Sequence, residues 1–533
     1  MAPSRMTKAQ GLTVSQALIA ALQNPALYPH PVDRFDVIET HISWVLLTGP
    51  FAYKIKKPVN FGFLDFSELA ARGHFCAEEL RLNQRLTDDL YLQVLPITGS
   101  SAAPQFNGSG PVLEYALQMR QFPQSQLLNA VQARGELTGA HIDALAAQIA
   151  SFHQHTPRVA ADHPLCNASA IVAPMRQNFE QIRPLLSDKA DLLQVDALEA
   201  WTQSSFARLQ PLLEQRAANG SIRECHGDIH LGNATLLNGD VVLFDCIEFN
   251  EPFRLIDIAS DAAFLAMDLE DRDLKPLSRR FINAWLEHTG DYAALDLLNF
   301  YKAYRALVRA KVSLFRLGQE QDATQRQEIL AQYRRYANLA ESYSAIPSSF
   351  LAITHGVSAV GKSHVALRLV EALGAVRLRS DIERKRLLGE QSADQQAQLH
   401  AGIYSPQASA SVYQHLHQLA GAALHAGFPV VIDATYLKRQ QRDSAAQVAE
   451  ACGVPFLILD CQAPDSVISQ WLAQRQAAGQ DPSDATEAVI QAQHAGREAL
   501  SDAELLQSKR VDTHDAASLD SLIERIRHHL PGL

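Results

Sequence analysis

The chain is 533 residues long, 47% of its residues are hydrophobic and 20% are charged, and its formal net charge is −11. This length is too great for one hydrophobic core and predicts two to four domains. The acidic balance disfavours broad, nonspecific binding of nucleic acid, although it leaves room for a local basic groove. Because no run of about 18 apolar residues occurs, we expect no membrane-spanning helix.

The N-terminal stretch and the cysteines indicate the cellular compartment in which we expect the protein. The apolar run at residues 17–22 is short and is followed by Gln23 and Asn24, so it does not predict a secretory signal. The six cysteines show neither CxxC spacing nor a histidine pattern typical of zinc. Reduced thiols in a cytoplasmic protein are the simplest interpretation.

The first part of the chain predicts a helix at residues 15–23 and then a β-rich region. Three short β-rich runs follow, at residues 37–43, 44–48 and 51–55. The third run carries Lys54, and Lys56 lies two residues further on the same strand face. A lysine that projects from an inner strand can hold the phosphates of a bound nucleotide. Lys54 is therefore the first candidate for this role, and Lys56 stays open as the second.

Helix and strand signals alternate in the next segment. An amphipathic helix is expected at residues 75–86, the last strand of this half at 112–119, and a second helix at 139–153 with an apolar period near 3.6. His153 and His155 stand at the end of that helix. Without a third metal ligand nearby in the sequence, we expect both histidines at the surface.

A polar stretch that begins at His226 contains a strong hairpin signal. Apolar runs at 234–237 and 240–244 flank the Asn-Gly pair at 238–239, which favours a two-residue turn. The hairpin brings Asn233, before its first strand, beside Asp245, after its second. Strict alternation would place these two side chains on opposite faces, so we expect the ladder to end or kink before them.

Asp228 stands five residues before Asn233 in a glycine-containing loop. One aspartate as base, with an asparagine and a second aspartate as magnesium ligands, is the layout of a kinase catalytic loop. The segment HGDIHLGN at 226–233, followed by Asp245, resembles the HGDxHxxN motif and the following aspartate of the aminoglycoside phosphotransferase family. The resemblance implies a fold like that of eukaryotic kinases, with ATP and magnesium.

The resemblance also assigns roles to single residues. Asp228 would be the catalytic base, and Asn233 and Asp245 would bind magnesium. The helix after the Lys54 strand would supply a glutamate that pairs with this lysine, and Glu79 matches it best.

Two further positions follow from the resemblance. Met119 would open the interlobe hinge at 119–122, whose backbone contacts adenine, and Asp257 would be the structural aspartate that braces the catalytic loop. The helical lobe would hold the phosphate acceptor. No glycine-rich loop precedes Lys54, and the turns at 40–43 and 48–50 are the segments available to cover the phosphates.

The Pro-Ser-Ser stretch at 347–349 is the best domain boundary in the chain. An apolar strand at 350–354 leads into the sequence GVSAVGKS at 356–363, which matches GxxxxGK[ST], and a helix is expected at 364–373. Backbone amides and the helix N-terminus would cradle phosphates, Lys362 would reach the β- and γ-phosphates, and Ser363 would hold magnesium. The predicted nucleotide-binding residues of this loop are Gly356, Ser358, Gly361, Lys362 and Ser363.

Two more strands, at 375–378 and 429–432, lead to Asp381 and Asp433. Ligands of open α/β sheets gather at the carboxyl ends of the strands, so these aspartates should meet the phosphate-binding loop. Helices are expected between and after the strands, at 411–425 and 440–452. This alternation predicts a parallel sheet.

The arrangement resembles P-loop kinases of small molecules and of polynucleotide ends. In them an aspartate after the second strand deprotonates the acceptor hydroxyl, which fits Asp381, and Asp433 fits the Walker B position beside magnesium. An N-cap of the following helix is the alternative for Asp381. Arg475 is a candidate lid arginine, and a solvated arginine at a helix end is its alternative.

Together these patterns predict an α+β kinase-like bilobal domain at 1–346, with an N-lobe at about 34–122 and a helical C-lobe at about 123–346. An α/β P-loop kinase-like domain with a parallel sheet follows at 347–533. The predicted function is a bifunctional ATP-dependent phosphotransferase with two separate ATP and magnesium sites, acting on hydroxyl groups of small molecules.

Two alternatives remain at this point. The C-terminal domain would instead be a nucleic-acid 5′-hydroxyl kinase, or one domain would be a nucleotide-sensing regulatory module. The basic residues that would serve the first alternative are Arg377, Arg379, Arg384, Lys385, Arg386, Lys438, Arg439 and Arg442.

Overall fold

The computed structural model describes residues 8–62, 64–318, 320–345, 348–389, 405–478 and 486–530, and the side chains of 8–14 and 475–478 lie outside that description. Contacts within the chain divide it into two compact units. The first unit comprises Met1–Gln181 and Phe206–Asp268, and the second comprises Ile182–Ser205 and Leu269–Leu533. The domain limits predicted from the motifs, with a boundary at residue 347, stay a prediction.

An antiparallel sheet with the strand order β1-β2-β3-β6-β4-β5 forms one side of the first unit. Its strands are β1 Asp36–Glu39, β2 Ser43–Leu47, β3 Phe51–Lys56, β4 Tyr91–Ser100, β5 Ala103–Phe106 and β6 Val112–Arg120. β3 pairs with β2 on one side and with β6 on the other, so the lysines of β3 lie on an inner strand, as predicted. The pair β4–β5 was not predicted.

The predicted run at 37–43 is broken by a turn. The Thr40 hydroxyl accepts a hydrogen bond from the Ser43 amide at 2.9 Å and donates one to the Ser43 carbonyl at 3.1 Å. Threonine and serine side chains that bond to nearby backbone in this way favour turns over strands. β1 therefore ends at Glu39 and β2 begins at Ser43.

Helices make up most of the chain from β6 onwards. The helices before the polar stretch are α1 Lys8–Ala21, α2 Leu69–Asn83, α3 Leu128–Ala133, α4 Gly139–His155, α5 Ala168–Ile182 and α6 Lys189–Ala218. After it come α7 Glu251–Arg254, α8 Ile258–Asp271, α9 Lys275–Thr289, α10 Leu295–Phe315 and α11 Ala323–Ser342. α2 begins six residues earlier than the helix predicted at 75–86 and packs on β4 and β6.

The predicted hairpin is present as β8 Ala234–Leu237 and β9 Asp240–Leu243. Asn238 and Gly239 have φ angles of 54° and 92°, and two consecutive positive values define the type I′ turn that this residue pair favours. A second short ladder pairs β7 Ile222–Glu224 with β10 Leu255–Asp257.

The second unit contains the predicted parallel sheet, in the order β12-β13-β11-β14-β15. Its strands are β11 Leu351–His355, β12 Val376–Arg379, β13 Val430–Asp433, β14 Phe456–Gln462 and β15 Ser508–Asp512. Every residue of the central strand β11 is buried, as expected where helices cover both faces of a parallel sheet. The prediction from strand–helix alternation is therefore confirmed.

The helices of the P-loop region begin with α12 Lys362–Leu373, which directly follows the phosphate-binding loop. The others are α13 Ser380–Leu388, α14 Pro406–His425, α15 Arg439–Ala451, α16 Asp465–Ala478, α17 Glu487–Gly496, α18 Asp502–Gln507 and α19 Ala516–His529. α12 ends before Gly374, whose φ of 72° is the left-handed conformation that commonly ends a helix.

A buried ion pair joins α15 to α18, two helices of the second unit. Arg442, only 1% exposed, donates from Nε to Glu504 at 2.5 Å, and Glu504 also accepts from the Ser501 amide at 2.8 Å. Burial raises the pKa of Glu504, but Arg442 and Ser501 outweigh it and lower this pKa to about 2. Removal of one partner of such a pair leaves an uncompensated buried charge.

We expect Glu504→Gln to lower the free energy of unfolding of the second unit by about 3–5 kcal/mol at neutral pH. The effect should shrink as the pH falls from about 4.5 towards 2, because the carboxylate is then protonated in the wild type as well. Urea unfolding followed by circular dichroism measures it. Glu524→Gln, in the exposed Arg527–Glu524 pair, is the control and should cost at most about 1 kcal/mol; equal effects of the two variants would contradict the prediction.

Candidate active sites

The loop after β7 brings the first pair of predicted site residues together. Asn233 ends a short 3-10 turn and donates from Nδ2 to the Asp228 carboxylate at 3.2 Å and to the Asp228 carbonyl at 3.1 Å. His230 Nε2 lies 3.4 Å from the same carboxylate. Asp228 is only partly buried, so its carboxylate can meet a substrate as well as these neighbours.

Asp245 follows β9 with a φ of 67°, a left-handed conformation that is uncommon for a residue other than glycine. The ladder ends at Leu243, and the Phe244 amide bonds to the Asn233 carbonyl at 3.0 Å. The expected end of the ladder before Asn233 and Asp245 is therefore present. Strand alternation no longer separates the two side chains.

The backbone of the catalytic loop is braced by Asp261 in the first turn of α8. Its carboxylate accepts hydrogen bonds from the amides of His226 at 3.0 Å and Gly227 at 2.9 Å. The prediction that Asp257 braces the loop is wrong. Asp257 forms a buried ion pair with Arg216, with two contacts of 2.7 Å, and caps α8.

Two buried histidines support the same loop. His153 is fully buried, contrary to the surface position predicted for it, and its Nε2 lies 3.2 Å from the Asp261 carboxylate. Burial lowers the pKa of His226, so its imidazole is neutral. Its Nε2–H donates to the Phe244 carbonyl at 2.9 Å, which leaves Nδ1 to accept from the Asp228 amide at 3.3 Å.

The position between His226 and Asp228 accepts only glycine, which is Gly227. Its φ is +90°, and a Cβ at this position would lie 2.6 Å from the Phe253 carbonyl oxygen. Backbone therefore passes too close for any side chain here. This explains the glycine of the HGD segment in physical terms.

The lysines of β3 share one glutamate. Lys54 Nζ donates to Glu79 at 2.7 Å and to Asp245 at 2.7 Å, whereas Lys56 Nζ donates to Glu79 at 2.6 Å and also pairs with Glu248. Lys54 thus faces the predicted metal-binding aspartate, and the fully buried Glu79 orients both lysines. Burial opposes the charge of Lys54, but Asp245 and Glu79 outweigh it and raise its pKa well above the ordinary value.

Apolar side chains gather beside Lys54. Ala52 and Met119 are opposite each other in the β3–β6 register, and both belong to a cluster that includes Phe122 and Phe244. A cavity of about 680 Å³ adjoins the predicted hinge and is lined by Gln121, Phe122 and the tip of the β8–β9 hairpin. The role of Met119 at an adenine-binding hinge stays a prediction.

The second set of predicted residues lines one cavity of about 440 Å³. Predicted residues in its wall are Ser358, Gly361, Lys362, Ser363, Asp381 and Asp433. Arg379, Thr435, Trp471, Thr513 and His514 also line it and were not predicted as site residues. The side chain of Arg475, in the last turn of α16, lies outside the described residues.

The glycines of the phosphate-binding loop allow close packing. Gly356 has a φ of +143°, and a Cβ there would lie 2.9 Å from the Cys461 carbonyl. Gly361 has a φ of +90°, and a Cβ there would lie 2.9 Å from Thr513 Cβ. The loop can therefore turn tightly into α12 and direct its amides at an anion.

Polar groups of the phosphate-binding loop form hydrogen bonds with other parts of the chain. Lys362 Nζ donates to the Val357 carbonyl at 2.6 Å. Gln493, on α17, accepts from the Ser358 amide at 2.7 Å and donates to the Ser358 hydroxyl at 3.1 Å. Because Gln493 lies 135 residues from Ser358, no local sequence signal points to this contact.

Asp381 lies within the first turn of α13, whose N-cap is Arg379, so the N-cap alternative is not seen for it. Burial raises the pKa of Asp381, and Arg379 partly opposes this shift. Arg379 Nε also lies 3.8 Å from the Asp433 carboxylate. The two aspartates therefore share one wall of the cavity with one guanidinium.

Each candidate site gathers groups of the kinds that contact a magnesium nucleotide in kinases. The first offers an ammonium between carboxylates and an apolar surface, and the second offers loop amides, an ammonium and a buried carboxylate.

None of the helices within the described ranges combines the length and apolar character needed to cross a bilayer.

Comparison with known proteins agrees with this chemistry. Residues 74–298 match the family model described as the phosphotransferase enzyme family, and residues 351–500 match the one described as an AAA domain. Two proteins named as uncharacterized, from Mycobacterium tuberculosis and Mycobacterium bovis, are each 29% identical to this chain over 475 residues, which covers 87% of this chain and 92% of each relative.

Matches among solved structures include proteins titled as kinases, all at low TM-scores. A Plasmodium vivax ethanolamine kinase has a TM-score of 0.37 at 12% identity and covers 60% of this chain and 86% of its own. A choline/ethanolamine kinase family protein from Mesorhizobium loti has a TM-score of 0.36 at 12% identity, with coverage of 62% and 99%. The Mycobacterium tuberculosis APS kinase has a TM-score of 0.25 at 18% identity, with coverage of 34% and 97%.

Fold, sites and family matches define the class of this protein. A kinase-like phosphotransferase domain precedes an α/β P-loop domain with a parallel sheet, so the predicted fold class is confirmed. The chain is an enzyme, an ATP-dependent phosphotransferase of the kinase type.

The lysine choice left open by the sequence can be tested directly. We expect Lys54→Met to weaken nucleotide binding at the first site at least about tenfold, because it removes the ammonium that faces Asp245. Lys56→Met should mainly lower the thermal unfolding temperature, since it leaves Glu248 buried without its cation. Titration with a non-hydrolysable ATP analogue and a thermal scan of both variants separate the two roles. Loss of nucleotide affinity in Lys56→Met alone would reverse the assignment.

Proposed function

We propose that this chain is a bifunctional phosphotransferase with two separate ATP and magnesium sites, one in the domain at 1–346 and one in the domain at 347–533. Each site transfers the γ-phosphoryl group of ATP to a hydroxyl group of a small polar molecule in the cytoplasm. The observation that supports the proposal is that each compact unit contains its own lysine, proposed metal ligands and candidate base.

In the first site, Lys54 holds the α- and β-phosphates and Glu79 fixes the lysine. Asn233 and Asp245 hold magnesium, which neutralises phosphate charge when bound. The Asp228 carboxylate orients the acceptor hydroxyl and takes its proton as the new P–O bond forms and ADP leaves. Met119 and the hinge receive the base. The hydrogen bond from Asn233 to Asp228 keeps the base directed towards the metal ligands.

In the second site, the amides of the loop from Gly356 to Gly361 and of the first turn of α12 cradle the phosphates, with the Ser358 amide released from Gln493, and Lys362 turns from the Val357 carbonyl to the β- and γ-phosphates. Ser363 and Asp433 hold magnesium. That leaves the Asp381 carboxylate to take the proton of the second acceptor. The lid role of Arg475 is part of the same proposal.

The charge distribution supports small acceptors over nucleic acid in the second site. Of the eight basic residues that would form a nucleic-acid surface, at least six have a carboxylate partner in the described part of the chain. Arg377 and Arg442 are buried in such pairs. Cations that are neutralised in this way contribute little to phosphate-backbone binding.

A metabolite-extract screen tests the proposal. Wild-type protein and variants disabled in one site at a time are incubated with ATP, magnesium and a small-molecule extract, and phosphorylated products are detected by mass spectrometry. Two products, each lost with one site, would support two phosphotransferase activities. Tight ATP binding without turnover in one domain would instead identify that domain as a nucleotide sensor.

Two nucleotides should bind per chain. Calorimetric titration with a non-hydrolysable ATP analogue should give a stoichiometry of two for the wild type and one for Lys362→Ala, because this change removes only the P-loop ammonium. A stoichiometry of zero in Lys362→Ala would contradict independent sites.

Substitutions of the two aspartates in the first site should distinguish the proposed base from the proposed metal ligand. Asp228→Asn should lower transfer by about 10²–10⁴-fold with nucleotide affinity kept, since a positioned base contributes that much. Asp245→Asn should weaken binding of the magnesium nucleotide as well. Single-turnover assays and nucleotide titration measure the two effects. Equal loss of nucleotide affinity in both variants would overturn this division of roles.

A further inference from the structure

Helix α9 connects two parts of the chain that match different families. It lies within the residues that match the phosphotransferase family, yet it belongs to the same compact unit as the parallel sheet. One of its faces contacts α12, the helix of the phosphate-binding loop, and the neighbouring strand β12. The polar residues on this face are Arg279, Arg280, Asn283 and Glu287.

The strongest contact is a buried bidentate ion pair. Arg377 of β12 donates from Nε to Glu287 at 2.7 Å and from Nη2 at 3.1 Å, and each residue is only 8% exposed. Asn283 donates to the Glu287 carboxylate at 2.7 Å and accepts from the Arg377 amide at 2.7 Å. Paired contacts of this kind fix the guanidinium plane as well as its position.

The remaining branch of Arg377 reaches the phosphate-binding loop. Its Nη1 donates to the main-chain carbonyl of Ser363 at 3.3 Å. Ser363 is the proposed magnesium ligand and lies in the first turn of α12. Glu287 therefore connects through a single residue to the backbone that carries this ligand.

α9 also holds the other end of α12. Arg279 Nη1 donates to the carbonyls of Glu371 at 3.1 Å and Ala372 at 2.8 Å, in the last turn of α12. These carbonyls have no partner within their own helix, and a cation at a helix C-terminus is favourable. Both ends of α12 are thus positioned from the same face of α9.

We propose that Glu287 is a positioning residue of the second site, which holds Ser363 in place for magnesium through Arg377. The inference rests on the proposed function of that site as a magnesium-nucleotide site. Side chains that orient metal ligands from outside the coordination sphere alter metal affinity by about 10–100-fold when they are changed. Glu287 should act on magnesium-dependent binding in this way.

The experiment uses the full-length chain with Lys54→Met, which weakens nucleotide binding at the first site, and binding at the second site is identified as the part that a further Lys362→Ala change removes. A non-hydrolysable ATP analogue is titrated with and without magnesium, and the ratio of the two affinities is the readout. Glu287→Gln should lower this ratio about tenfold or more while the magnesium-free affinity stays within about twofold. A role in stability alone would weaken both affinities together, and that result would overturn the inference, as would an unchanged ratio.

Two further variants keep the test decisive. Glu371→Gln removes the Arg280–Glu371 pair, which lies on the same α9–α12 contact but does not touch Arg377, and should leave the ratio unchanged. If Glu287→Gln fails to fold, Arg377→Lys decides the matter, because lysine keeps the charge but cannot bridge Glu287 and Ser363 as a planar fork. If Lys362→Ala causes no loss of nucleotide binding, that result would contradict the proposed function itself rather than the role of Glu287.

Discussion

The complete burial of Glu79 is the constraint on which the first site depends. A carboxylate without solvent must be paired, since an isolated buried charge costs several kcal/mol. β3 meets this need with Lys54 and Lys56, two residues apart on the same strand face. Each lysine then reaches a second carboxylate, Asp245 or Glu248, in the segment after the catalytic hairpin. One buried charge thereby connects the sheet, α2 and the segment that carries Asp245 and Glu248 in a single network.

In the second unit, too, buried charges are paired, but they lie around a different backbone arrangement. Its phosphate-binding loop relies on amides and a helix N-terminus, and the local sequence alone suffices for that shape. The orientation of α12 relative to its sheet depends instead on buried ion pairs such as Arg377–Glu287. Because both partners are almost fully buried, the pair tolerates little displacement. Arg377 also donates to the main-chain carbonyl of Ser363, so the pair contacts the backbone of the proposed magnesium ligand.

Features with a local physical cause were predictable from the sequence. The Asn-Gly turn at 238–239 adopts the expected conformation because these residues tolerate positive φ angles. The strand, loop and helix around 356–363 are encoded within about 25 consecutive residues. The strand ends before Asp381 and at Asp433 converge because the sheet is parallel, which alternation of strands and helices predicts. The pair β4–β5 was missed although it is a local hairpin, in which Ser100 lies opposite Ala103.

Features that depend on distant partners were not predictable. Asp257 and Asp261 are four residues apart in the sequence, and only the fold decides that Asp261 meets the loop amides while Asp257 meets Arg216. His153 lacked a visible partner because Asp261 is 108 residues away. Glu287 likewise lies 90 residues before the arginine that it orients. Family motifs specify which groups perform the chemistry, whereas these distant pairs determine how rigidly the groups are held. Differences in activity between chains with the same motifs should therefore be sought first in such buried, long-range pairs.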